Sequence, residues 1–324
     1  MLLNILFAVL GAALVLLGAD KLTDSSVALA RRFSMSEMMI GLTIVAFGTS
    51  LPELVVSLMA SIEGTPAMSV SNVVGSNLFN TLAIVGCTAI VGTIAIPRST
   101  IVKDIPFVLL ASIVIFALAM DGLLGEGSDV IDRGDGIALL AFFTIFMFST
   151  LKLAEGGVVV PEQDENEQSV AKPQALWLTL LFLIIGLAAL IGGGELFVSG
   201  ASGIARGLGV SDAVIGLTLV AGGTSLPELA TSVMAARKGQ SGIAIGNVIG
   251  SNLFNIFWIL GLCSVVRPLP VVGLTWMDFG MLILSAVLFW LFSRTRHRIT
   301  RGEGFVLLAV YLGYLAWLIA GVTS

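Results

Sequence analysis

Charge is what this chain has least of. Asp, Glu, Lys and Arg supply 11% of its 324 residues, less than half of the roughly 25% usual in soluble domains. Hydrophobic residues reach 57% and the mean hydropathy is +1.04, which excludes a soluble globular protein and gives no suggestion of nucleic acid as a partner. Histidine occurs once, as His297 in a basic loop, and cysteine twice, as Cys87 and Cys263 inside apolar runs. That scarcity argues against a soft or borderline metal centre and against a disulfide framework, so both cysteines read as small core residues. It also argues against an intramembrane hydrolase, because no His or Lys base accompanies Ser50 and Ser225 in their own apolar runs. Alternating ten-residue segments are missing too, which excludes a barrel and leaves an all-α integral membrane protein.

Ten apolar segments are present, near 2–30, 36–61, 68–92, 104–120 and 134–151, then 174–204, 211–236, 243–265, 276–293 and 303–321. The N-terminal run from Leu2 to Gly18 has no positive leader and no clean cleavage pattern, so it reads as a retained first span. Segments one and six are unusually long and contain Asp20, Lys21 and Glu195. Each either tilts strongly or ends early and continues as a short amphipathic stretch. The longest polar connection runs from Glu155 to Lys172 and is acidic. The expected division is a first five-helix unit over 1–153, a solvated linker over 154–173 and a second five-helix unit over 174–324. Of the 16 Lys and Arg residues, 12 fall in connections on one side and three (Arg133, Arg206, Arg267) on the other. The positive-inside rule makes the rich side cytoplasmic, which puts the linker there and both termini outside.

The two units are copies. Gly41–Ser61 matches Gly216–Ala236 at 15 of 21 positions, and Ser69–Asn80 matches Ala244–Asn255 at 8 of 12, all at the constant spacing that separates Glu53 from Glu228. Five spans per copy is an odd number, so the second copy enters the membrane from the opposite side. Inverted repeats interrupted at matching positions mark alternating-access transporters with a substrate site near the midplane. The interruption is the sextet Gly48-Thr49-Ser50-Leu51-Pro52-Glu53, repeated as Gly223-Thr224-Ser225-Leu226-Pro227-Glu228. Pro52 and Pro227 break their helices near the glutamates, and a carboxylate at bilayer depth is functional by default.

The polar groups around these glutamates are nearly all oxygen: Thr49, Ser50, Ser76, Asn77 and Asn80 from the first copy, Thr224, Ser225, Ser251, Asn252 and Asn255 from the second. Hard cations take such ligands, with six to eight oxygens around calcium. Two glutamates neutralise one divalent cation, sodium competes for the same oxygens, and exchange is the natural mechanism. Hydroxyls and amides also glue helices together, and for Thr49, Thr224, Asn77 and Asn252 that structural reading stands equally. Asp20 and Glu195 match at the same spacing and are read as residues reaching for an interface.

GTSLPE followed by GSNLFN in each half resembles the two alpha-repeat motifs of the cation/calcium exchanger superfamily, and within it the prokaryotic sodium/calcium exchangers. The resemblance covers nearly the whole chain. It implies ten transmembrane helices as two inverted five-helix repeats, and a calcium/sodium antiporter of the plasma (inner) membrane. It implies no enzyme activity and no cofactor; calcium and sodium would be the transported ligands in a lipid bilayer, with no nucleic acid, the oligomeric state open and a monomer sufficient. Glu53 and Glu228 would be the central calcium ligands, shared with sodium. Thr49, Ser50, Ser76, Asn80, Thr224, Ser225, Ser251 and Asn255, with the carbonyls of Ala46 and Ala221, would complete the cation sites. Spans one and six would slide as a gating pair. Some members carry Asp where this chain has Asn80 or Asn255, which leaves a calcium/proton or a potassium-dependent antiporter as alternatives using the same site; a cation channel is disfavoured by the repeat.

Overall fold

The computed structural model describes residues 1–125, 127–155, 175–209, 215 and 222–323. The expected linker at 154–173 lies almost wholly outside them, as do the first half of the segment expected at 211–236 and Ala221. The described chain is helical apart from two short strand pairs: β1 (Ile94–Ala95) with β4 (Arg298–Ile299) and β2 (Val130–Ile131) with β3 (Leu269–Pro270), both antiparallel. Among the described residues, eight helices are long and apolar enough to cross a membrane, and a bent pair makes a ninth. They are α1 (Leu2–Arg32), the pair α2 (Glu37–Thr49) and α3 (Leu51–Glu63), α4 (Ala67–Val91), α5 (Thr100–Ala119), α6 (Arg133–Glu155) and α7 (Leu176–Gly207). After α8 (Leu226–Arg237), too short to count alone, come α9 (Ser241–Val266), α10 (Trp276–Arg294) and α11 (Arg301–Thr323).

Two helices form the centre. In α4 and α9, 78% and 83% of the apolar stretch is buried, against 11–39% in the other unbroken spans. The outer helices are therefore apolar toward the bilayer as well as inward, while α4 and α9 can carry polar residues because protein surrounds them. Small residues let α9 approach α2 closely. A methyl on Gly246 would lie 2.6 Å from the Met38 carbonyl oxygen, and one on Gly250 2.6 Å from that of Leu42.

The long helices settle one choice the sequence left open. Segments one and six do not end early: α1 and α7 run unbroken for 31 and 32 residues. At 1.5 Å per residue they are about 46–48 Å long, so in a hydrocarbon layer of about 30 Å they must tilt or project. They lie antiparallel along a seam of glycines spaced seven apart, a spacing that returns to one helix face every two turns. Gly11 and Gly18 of α1 face Gly193 and Gly186 of α7, and Gly200 meets Asn4 and Ala8. Backbone touches backbone here, as in other membrane helix pairs packed on small residues.

The expected break occurs one turn earlier than the glutamate. Ser50 separates α2 from α3, the axes bend by 46°, and Pro52 sits in the first turn of α3, where its missing N–H costs nothing. Pro227 occupies the same place in α8, after a turn over residues 222–225. Four wide π-helical stretches occur among the described residues: Thr100–Asp104 at the start of α5, Gly41–Val45 within α2, Phe79–Ile84 within α4 and Phe254–Leu260 within α9. The last two begin at equivalent positions of the copies, directly after Ser76-Asn77-Leu78 and Ser251-Asn252-Leu253. Such bulges concentrate at functional sites.

Candidate cation site

Glu53 and Glu228 each lie in the first turn of a helix, α3 and α8, where unpaired N–H groups and the helix dipole favour a negative side chain. Both are fully buried. The two breaks bring them together crosswise, because each carboxylate is held by the serine of the other copy. Ser50 donates to Glu228 Oε1 at 3.0 Å and Ser225 donates to Glu53 Oε1 at 2.8 Å. Ser225 also reaches Ser76 Oγ at 3.2 Å, and Ser251 reaches Glu228 Oε1 at 3.5 Å. Of the residues expected at the site, Ser50, Glu53, Ser76, Ser225, Glu228 and Ser251 are thus joined in one buried network.

The remaining expected residues are placed as follows. Thr49 donates to Asn247 Oδ1 at 3.0 Å and leans on the Ala46 carbonyl at 3.4 Å. That carbonyl also accepts the Ser50 N–H at 3.0 Å, the regular helical bond. Asn80 and Asn255 are buried one turn beyond Ser76 and Ser251. Thr224 lies in the turn before α8 with its hydroxyl oxygen buried and partnerless. Ala221 is outside the described residues.

What the network leaves unused matters most. Among the described residues, Glu53 Oε2, Glu228 Oε2, Asn80 Oδ1, Asn255 Oδ1 and Thr224 Oγ1 are buried with no hydrogen-bond partner. Buried polar atoms without partners are rare, because each costs on the order of 1–3 kcal/mol and a charged one more. No Lys, Arg or His among the described residues forms an ion pair with either carboxylate; Lys238, for one, is paired elsewhere, with Asp20 at 2.7 Å and with Asp24 at 2.6 Å. Two buried carboxyl groups surrounded by neutral oxygen and lacking a protein cation form a set that a hard cation completes. Among the described residues, no three His, Cys, Asp or Glu side chains gather closely enough to hold a metal ion between them.

Asp20 and Glu195 part company despite their matched positions. Asp20 is paired with Lys238, whereas Glu195 is exposed on α7. Neither reaches the carboxylate network. Both cysteines are free thiols, with Cys263 buried.

Two residues of the site were not singled out by the sequence. Asn72 donates to the Glu53 carbonyl at 3.5 Å and to Ser57 Oγ at 3.0 Å, and Asn247 donates to the Glu228 carbonyl at 3.3 Å and to Ser232 Oγ at 3.1 Å. Each amide clamps the backbone of a glutamate to α4 or α9. Their signal was present, since Asn72 and Asn247 are identical at matched positions of the copies, as are Ser57 and Ser232.

A helical membrane protein with a crossed carboxylate pair in a shell of oxygen belongs, by class, with the cation transporters. The sequence over residues 3–152 and 178–320 matches the sodium/calcium exchanger protein family, and the chain belongs to that family. The sodium/calcium exchanger MaX1 of Methanosarcina acetivorans is 32% identical over 346 residues, covering 96% of this chain and 97% of that one. The inner membrane protein YrbG of Escherichia coli K12 is 34% identical over 323 residues, covering 98% and 96%. A solved structure of the sodium-calcium exchanger NCX_Mj, soaked with zero Na+ and Ca2+, superposes with a TM-score of 0.82 at 34% identity, over 98% of this chain and 99% of that one.

Proposed function

We propose that this protein exchanges calcium for sodium across the membrane by alternating access, with Glu53 and Glu228 as the shared central ligands. The observation that carries the reading is the crossed pair: each buried carboxylate is fixed through one oxygen by the opposite copy's serine and keeps its other oxygen free. Two carboxylates neutralise one Ca2+, which makes the loaded centre electrically tolerable in a low dielectric; one sodium leaves a net charge, so more than one is needed to match it. An unloaded doubly anionic centre resists crossing the apolar barrier, and that resistance couples the two fluxes.

In this proposal Thr49, Ser50, Ser76, Asn80, Thr224, Ser225, Ser251 and Asn255 supply further oxygens, as do the carbonyls of Ala46 and Ala221. The chain forms ten spans as two inverted five-helix repeats, residues 1–153 and 174–324, with the acidic linker 154–173 between them. The gap between the two stretches of family match supports that division. The linker is cytoplasmic, both termini are external and the membrane is the plasma (inner) membrane, as the distribution of Lys and Arg favours. The glycine seam supports α1 and α7 moving as one unit against the bundle around α4 and α9.

Calcium-45 uptake into proteoliposomes tests the exchange, with sodium inside, none outside, equal pH and no potassium. Accumulation that collapses with a sodium ionophore is the expected result. Uptake that ignores sodium and follows a pH gradient, or that requires potassium, would retain the site and replace the coupling ion.

A further inference from the structure

The two asparagines that end the GSNLFN motifs, Asn80 and Asn255, are equivalent in sequence and unequal in structure. Asn77 donates its amide N–H to the backbone carbonyl of Asn252 at 3.1 Å. A carbonyl can only accept, so this bond fixes which end of the Asn77 amide is nitrogen. The Asn77 oxygen then faces the other way, where it accepts from Asn255 Nδ2 at 2.9 Å. That in turn fixes Asn255: its nitrogen is committed to Asn77, and its oxygen is buried with no partner. Asn255 lies one turn beyond Ser251, whose hydroxyl reaches Glu228. The mirrored bond, from Asn80 to Asn252, is not made. Asn80 Nδ2, Asn80 Oδ1 and Asn252 Oδ1 are all partnerless, and the Asn252 amide donates to Thr81 at 2.8 Å, a residue whose counterpart is Ile256.

We infer that Asn77 is a positioning residue: the relay from the Asn252 carbonyl through Asn77 locks Asn255 with its oxygen toward the cation centre, while Asn80 has no such lock. The inference rests on the proposed cation site and deepens it. A primary amide offers a cation either an attractive oxygen or a repulsive NH2 end, and an untethered one must be turned and held when the cation binds. The relay removes that cost at Asn255 before the cation arrives. Copy-equivalent asparagines therefore do different work: Asn255 is a preset oxygen donor, and Asn80 turns to suit its surroundings.

The test is a double-mutant cycle on sodium-driven calcium-45 uptake, with KM and kcat read separately. Asn77→Leu, which keeps the branched shape and removes both bonds, should raise the calcium KM about tenfold with kcat within about twofold. Asn255→Ala should raise it at least as much, and the double variant should match Asn255→Ala alone, because Asn77 acts only through Asn255. Thr81→Val, outside the relay, should leave the calcium KM unchanged. Additive effects of the two substitutions, or an unchanged KM in Asn77→Leu, would overturn the relay. If Asn77→Leu does not fold, Asn77→Ser enters the same cycle with the same criteria. Wild-type uptake reports separately on the proposed function: no sodium-driven uptake by the wild type would refute that function, whereas additivity in an active protein refutes only the relay.

Discussion

Adjacent glycines on one helix should respond with opposite signs to the same substitution. Gly193 lies on the seam between α7 and α1, and a methyl there would sit 2.8 Å from Leu14 Cβ and 2.9 Å from the Val15 nitrogen. Carbon atoms prefer about 3.5–4.0 Å, so Gly193→Ala must push the helices apart by about 0.7 Å or more along a contact that is largely backbone. Overpacking of that kind costs about 1–3 kcal/mol. Gly192 has nothing within 4 Å of the same methyl. Gly192→Ala carries only the helix-propensity term, a gain of up to about 1 kcal/mol. Thermal unfolding of the purified protein in detergent, followed by loss of the monodisperse peak, reads the difference: Gly193→Ala below wild type, Gly192→Ala at or above it. Gly18→Ala, whose methyl would lie 2.7 Å from the Gly186 carbonyl oxygen, should behave like Gly193→Ala. Equal midpoints for Gly192→Ala and Gly193→Ala would refute the backbone contact between α1 and α7.

Four further outcomes are expected. Ser50→Ala and Ser225→Ala each remove a hydroxyl bond to the opposite carboxylate, worth about 1.5–3 kcal/mol for a charged acceptor, so each should raise the calcium KM by about tenfold or more in proteoliposomes; an unchanged KM in both would remove the crossed pairing. Asn247→Ala strips partners from Thr49, Ser232 and the Glu228 carbonyl at once and should destabilise by about 2 kcal/mol or more in chemical or thermal unfolding. Lys238→Gln breaks the link between α1 and the end of α8, but the pair is partly exposed, so the loss should be about 1 kcal/mol or less and should shrink with added salt. Burial opposes the Lys238 charge, yet hydrogen bonds and attraction from Asp20 and Asp24 outweigh it and raise its pKa. Its contribution is therefore full below the unfolded-state pKa of about 10.4 and fades as pH climbs through the higher folded value, so the wild-type advantage over Lys238→Gln should vanish only in strong alkali.

The site was legible in the sequence to the extent that repetition spells it. GTSLPE and GSNLFN each occur twice, and the glutamates, the serines and the matched Asn72 and Asn247 all fall within the duplicated stretches. What repetition cannot state is which copy a side chain serves. Ser50 stands three residues before Glu53 but bonds Glu228, a choice made by the 46° bend and the packing of α2 on α9. The wide turns at Phe79–Ile84 and Phe254–Leu260 left no mark in composition, because a one-residue bulge keeps the same apolar pattern. Hydropathy likewise could not choose between a short α1 and an unbroken one; a buried face that runs from Gly11 and Gly18 on past Asp20 through Leu22, Ser26 and Leu29, with the Leu22 backbone against Gly186 of α7, decided it. The Asp20–Lys238 pair joins residues far apart in the chain, which charge counting by side does not resolve.

The central claim is that Glu53 and Glu228 together hold the transported cation. Equilibrium calcium-45 binding to the detergent-purified wild type, Glu53→Gln and Glu228→Gln, with and without sodium, tests it most directly. The wild type should bind one calcium per chain and release it as sodium is added. Each glutamine variant keeps an acceptor for its serine and loses the charge, so each should stay folded and bind at least about thirtyfold more weakly, the loss expected when one member of a buried charge pair is removed. Wild-type affinity in either folded variant, or calcium binding that sodium does not displace, would contradict the account.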